Sequence, residues 1–134
     1  MPYDRRDDLL DYDPDSEIVV TSGATGAFYV VCQALFQPGD EVILFEPYYD
    51  YHRNTLEALG VVPRFVTLHG PDFALPLAEL EIALSSRTRA IVVNTPGNPS
   101  GKVFTRAELE ALGAIARERD VFLLTDEVYE HFVY

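Results

Sequence analysis

Short apolar runs rich in branched residues recur along this chain, each separated from the next by a stretch of helix length. The runs at 41–45, 61–68, 89–93 and 121–125 have the length of strands. Strands that alternate with helices are joined by crossovers and lie parallel, and such crossovers are right-handed. Near-continuous apolar strands suit a sheet covered on both faces. The pattern therefore predicts an α/β fold, a mainly parallel sheet with helices on both faces.

Around these runs the punctuation is clear. A fifth, β-branched run at 18–21 reads as a strand leading into a turn, and residues 27–36 read as a buried helix. Pro38 and Gly39 end that helix, since proline cannot continue it and glycine suits its terminal cap. Residues 48–59 read as a second helix closed by Gly60, and 77–84 as a short third. Pro63 interrupts the run at 61–68 near its start, and 69–76 is a loop. The helix after Thr105 carries its own start signal, because Thr105 and Glu108 form a capping-box pair. Leu109, Leu112, Ile115 and Ala116 then fall on one helical face. Residues 1–16 are polar and form a lead-in segment, leaving 17–134 as one domain.

Charge removes several function classes. A net charge of −12 repels phosphate backbones and anionic bilayers, which argues against nucleic-acid or membrane partners. No apolar run approaches the ~20 residues of a membrane span. The start of the chain is too acidic for a targeting peptide, so a cytoplasmic location is expected. Cys32 stands alone in a helical apolar pattern, as core, and His52, His69 and His131 lack ligand spacing. No metal site is expected. With only 10 lysines and arginines, an anionic ligand must be held by backbone N–H groups and helix termini.

In a parallel sheet, ligands sit beyond the carboxyl ends of the strands. Four segments lie at such ends. Residues 21–26 (Thr-Ser-Gly-Ala-Thr-Gly) form a small-residue turn into a helix, either an anion site or a turn capped by Ser22 or Thr25. After Phe45 come Tyr48, Tyr49 and Tyr51, a flat face for an aromatic ring or a tyrosine cluster at the domain rim. After Val93 comes Asn-Thr-Pro-Gly-Asn-Pro, where Pro96 and Pro99 stiffen the backbone and Gly97 permits an unusual turn. That loop either aims the Asn98 amide at a ligand oxygen or is a proline-rich turn. After Leu124 comes Asp126, a carboxylate that needs a cation or a strong donor unless it is a helix cap, with Tyr129 three residues on.

Taken in this order and at these intervals, the four segments resemble the class I/II, fold type I aminotransferases that use pyridoxal 5′-phosphate. The likeness is strongest to the kynurenine, methionine and N-succinyldiaminopimelate branch, and it runs over about residues 16–134. The resemblance implies that Gly23, Ala24 and Thr25 bind the cofactor phosphate. It implies that Tyr48 stacks on the pyridine ring, that Asn98 and Tyr129 share its ring oxygen, and that Asp126 pairs with its protonated nitrogen. The implied activity is transamination between an amino acid and a 2-oxo acid, in an enzyme that is a homodimer when intact.

The departures from that pattern are as informative. Lys102 is the only lysine in the sequence. It matches the tail of the family's Asn-Pro-x-Gly-Lys segment, which is not the lysine that forms the Schiff base with the cofactor. On this resemblance the chain is part of the large cofactor-binding domain, without the catalytic lysine, the small domain or the C-terminal half. It is expected to be inactive alone, with an open sheet edge that invites self-association. The alternatives are a non-catalytic module that binds pyridoxal phosphate or phosphate, and a β-lyase of the same fold.

Overall fold

The computed structural model describes residues 12–133. Its elements follow one another as α1 (Gly23–Leu35), β1 (Glu41–Glu46), α2 (Asp50–Ala58), β2 (Val62–Thr67), α3 (Leu77–Ala83), β3 (Thr88–Asn94), α4 (Arg106–Arg119) and β4 (Phe122–Asp126). The four strands form one parallel sheet in the order β2-β1-β3-β4. The α/β class expected from the alternation is the class observed.

The two central strands explain why the sheet is covered twice. Along β1, Ile43 and Phe45 point into one core, and Val42 and Leu44 into another. β3 divides in the same way, with Ile91 and Val93 against Ala90 and Val92. On the first face Leu80 of α3 and Leu112 and Ile115 of α4 complete the packing. On the second, Phe28 and Cys32 of α1 and Leu56 of α2 do so. Burial pushes the Cys32 thiol up to about 12, so it stays protonated and acts as a small apolar side chain.

At the amino ends of the strands, Glu41 is buried and accepts hydrogen bonds from Ser85 Oγ at 2.6 Å and Arg87 Nε at 3.2 Å. This clamp joins the start of β1 to the segment entering β3, where the register shifts by one residue between Glu41 and Val42. It sits at the opposite end of the sheet from the segments expected to carry function.

Residues 18–21 correct the sequence reading, for they form no strand. Ile18, Val19 and Val20 are 54%, 78% and 93% exposed. A β-branched run favours extended backbone, but a strand also needs a neighbour. The described sheet gives these residues none. The lead-in reading of residues 1–16 lies mostly outside the described residues.

The start of α4 fits its sequence signal. Thr105 Oγ1 accepts the Glu108 N–H at 3.3 Å, and the Glu108 carboxylate accepts the Thr105 N–H at 2.7 Å. Thr105→Ala is expected to lower the unfolding free energy by about 1 kcal/mol in urea denaturation. An unchanged midpoint would show the cap to be idle.

Candidate functional site

β1, β3 and β4 end in Glu46, Asn94 and Asp126, and a cleft of about 250 Å³ opens beyond the last two. That size is a little below the range of closed small-molecule sites, roughly 300–1,000 Å³, as suits an open cleft. Ala24 and Thr25 come to it from the first turn of α1, and Tyr49 and Tyr51 from the start of α2. Asn94 and Asn98 line it from the loop after β3, and Asp126, Val128 and Tyr129 from the end of β4. No lysine or arginine lines it among the described residues.

Five of the seven residues singled out in the sequence thus meet in one cleft: Ala24, Thr25, Asn98, Asp126 and Tyr129. Gly23 stands at the mouth of α1 with φ +72°, a left-handed conformation that glycine adopts without strain. Its N–H donates to the Thr21 carbonyl at 2.9 Å, so it is already engaged. Ser22 makes no side-chain cap on α1. The N–H groups of Ala24 and Thr25 have no intrahelical acceptors and carry the positive end of the helix dipole.

Tyr48, like Gly23, does not line the cleft. Its ring stacks on Phe65 of β2, centroids 5.2 Å apart and 18° from parallel. The neighbouring Tyr49 does, with its ring edge-on to Tyr51 at 5.1 Å. Adjacent residues after a strand end project to different sides, so a tyrosine pair cannot be resolved by type alone.

Asn94 fastens the loop after β3. Its Nδ2 donates to the Asp126 carbonyl at 3.1 Å, and its Oδ1 accepts the Asn98 N–H at 2.7 Å. The Thr95 N–H donates to the same Asp126 carbonyl at 3.0 Å. Gly97 is needed here for space, since a Cβ would come within 3.1 Å of the Asn94 carbonyl oxygen. Its φ is not positive, so the unusual turn at Gly97 depends on the missing side chain. The Asn98 side-chain amide makes no hydrogen bond within the described residues, which leaves both its donor and its acceptor to the cleft.

Asp126 is 12% exposed, and its Oδ2 is held from α2. The Tyr51 hydroxyl donates to it at 3.1 Å, and His52 Nε2 lies 3.0 Å away. The His52 bond holds the carboxyl below its ordinary range, against burial, which pushes it up. The side chain is therefore ionised at neutral pH. In the sequence Tyr51 reads only as part of a tyrosine face and His52 only as a histidine without ligand spacing, so neither points to Asp126. His52 shares the inner face of α2 with Leu56, four residues on, and a buried histidine there requires a polar partner.

Lys102 is committed elsewhere. Its Nζ donates to Glu108 Oε1 at 2.8 Å and Oε2 at 3.0 Å, and lies 5.2 Å from the Phe104 ring centroid. The amine is 8% exposed and is no part of the cleft wall.

Comparison with known proteins agrees with this architecture. Residues 3–134 match the family model "Aminotransferase class I and II". Rat kynurenine–oxoglutarate transaminase 3 is 40% identical over 132 residues, a match covering 91% of this chain and 29% of that protein. Escherichia coli methionine aminotransferase is 41% identical over 119 residues, covering 89% and 31%. The solved structure of N-succinyldiaminopimelate aminotransferase from Mycobacterium tuberculosis superposes with a TM-score of 0.88 at 41% identity, covering 91% of this chain and 32% of that one. The chain spans about a third of the length of the curated relatives it matches.

Proposed function

From the premise that this chain belongs to the class I and II aminotransferases, we propose that its cleft is a cradle for pyridoxal 5′-phosphate in a transaminating enzyme. The observation that carries the proposal is Asp126: an ionised, nearly buried carboxylate beside an uncapped helix start and an unengaged asparagine amide. These are the complements of a protonated ring nitrogen, a phosphate and a ring oxygen, so the residues fit the cofactor.

In this reading, the Ala24 and Thr25 N–H groups and the Thr25 hydroxyl receive the phosphate, with Gly23 turning the chain into α1. Asn98 and the Tyr129 hydroxyl hold the ring oxygen. Asp126 receives the ring N–H. Tyr49, rather than Tyr48, offers the aromatic face. When bound, the cofactor supplies an electron-accepting ring that stabilises charge on the α-carbon of an amino acid. Asp126 keeps that ring cationic by holding the proton on its nitrogen. The substrates of the whole enzyme are an amino acid and a 2-oxo acid, and its proposed form is a cytoplasmic homodimer.

The 134 residues supply the cradle without a covalent anchor, because their one lysine is bound by Glu108. An amine held as an ammonium against a carboxylate is a poor nucleophile and a poor base. The chain by itself is expected to give no 2-oxo acid when mixed with pyridoxal 5′-phosphate and an amino acid, and borohydride reduction should leave Lys102 unmodified. Sustained turnover, or cofactor fixed on Lys102, would overturn this reading.

A further inference from the structure

The two oxygens of Asp126 are used unequally. Oδ2 faces both donors from α2, while Oδ1 has only a long 3.4 Å contact with the Val128 N–H. The donors are themselves held by packing. His52 is 2% exposed, and its ring lies edge-on to Phe28 at 4.7 Å. The Tyr51 ring lies edge-on to Phe28 as well, at 5.6 Å and 79°. A carboxylate turns readily about its terminal torsion. Two donors fixed by the core and converging on one oxygen remove that freedom.

We propose that Tyr51 is a positioning residue for Asp126: with His52 it occupies Oδ2, leaves Oδ1 as the acceptor for the ligand, and so makes the cleft select a ring that carries a protonated nitrogen. The inference rests on the cofactor reading of the cleft and adds a determinant from α2 to it. A ring without that N–H leaves Oδ1 desolvated and unpaired, which is the strong form of discrimination a polar site achieves. Burial, and then the Asp126 charge, pushes the Tyr51 phenol above its ordinary range, so it keeps its proton and remains a donor. The other titratable groups around the pair are Cys32 on α1, Tyr49 ahead of α2, Glu127 beside Asp126 and Tyr129 beyond it.

The test needs no bound cofactor. In the chain labelled with ¹³C at aspartate carboxyls, Tyr51→Phe keeps the ring and removes the donor. Asp126 is then expected to titrate about one pH unit higher than in the parent protein. Placing 3-fluorotyrosine at position 51, a more acidic phenol and so a stronger donor on a ring of nearly the same size, should move the titration the other way. An Asp126 titration that ignores both changes overturns the proposal, even if thermal stability falls, because a purely structural tyrosine would move only the latter.

A second arm measures binding of pyridoxal 5′-phosphate and of its analogue with carbon in place of the ring nitrogen. The parent chain should prefer the nitrogen ring by about tenfold or more, and Tyr51→Phe should narrow the gap several-fold. Equal affinity for the two rings in the parent overturns the selection. Binding of neither overturns the cofactor reading and the selection with it, while the ligand-free titration still decides whether Tyr51 positions Asp126.

Discussion

Glu108→Gln is expected to lower the unfolding free energy by about 3 kcal/mol, the scale for breaking one partner out of a buried ion pair. The Glu108 carboxylate takes both hydrogen bonds from Lys102, the Leu75 N–H at 3.0 Å, the Thr105 N–H at 2.7 Å and the Thr105 hydroxyl at 2.9 Å. It thereby ties the loop before α3, the end of the asparagine loop and the start of α4 into one knot. A neutral amide keeps the shape but leaves the Lys102 ammonium, 8% exposed, without its counter-charge. A shift in the urea midpoint measures the effect, and Lys102→Met made together with it should recover much of the loss.

The same carboxylate gives the protein an acid limb. Burial alone would raise the Glu108 carboxyl, but Lys102 and the Thr105 and Leu75 N–H groups outweigh it and hold it down from 4.5 to about 2. A folded-state value below the unfolded one means stability that is complete above the unfolded value and lost as pH falls toward the folded one. Stability should therefore fall as pH drops from 4.5 toward about 2, and Glu108→Gln should flatten that part of the curve. An acid limb of the same depth in the variant would assign it to other groups.

The second large effect belongs to Asp126. Asp126→Ala is expected to weaken binding of pyridoxal 5′-phosphate by about 100-fold, from the loss of a charge-assisted hydrogen bond. It also strips His52 and Tyr51 of their shared acceptor, so the variant should lose roughly 1–3 kcal/mol of stability. Asp126→Asn separates the two consequences. It preserves an acceptor for the α2 donors while removing the charge that keeps a ring nitrogen protonated. Isothermal titration of both variants reads the affinity, and an unaltered affinity in both would remove Asp126 from the cradle.

Much of this molecule was legible in the sequence, for identifiable reasons. Val42 to Phe45 and Ala90 to Val93 are short, rich in branched residues and apolar on both sides of the pleat, as a strand buried on two faces is. The Thr105–Glu108 pair marks a helix start because its bonds are local. The run at 18–21 misled because propensity is local and strand pairing is not. Tyr48 and Tyr49 are chemically equivalent in sequence, and only the direction of the backbone after β1 separates the one on Phe65 from the one in the cleft. His52 and Tyr51 meet Asp126 across more than 70 residues of chain, a contact that no periodicity encodes. Asn98, Asp126 and the start of α1 could be found because each sits at a strand end or helix start, where the topology of a parallel sheet gathers them.

The β4 edge bears on any experiment with the isolated chain. β2, at the opposite edge of the described sheet, carries Pro63 and Arg64, which discourage pairing. β4 is Phe-Leu-Leu-Thr-Asp, with Phe122 50% exposed and no such guard before Asp126. Binding is therefore best measured on dilute protein whose size has been checked.

The most direct measurement is a map of backbone amide shifts as pyridoxal 5′-phosphate is added to the ¹⁵N-labelled chain. The cradle predicts saturable shifts confined to Gly23, Ala24 and Thr25, to Tyr49 and Asn98, and to Asp126 through Tyr129, with the Lys102–Glu108 knot unmoved. Shifts centred on Lys102, or none at the ends of β3 and β4, would contradict it.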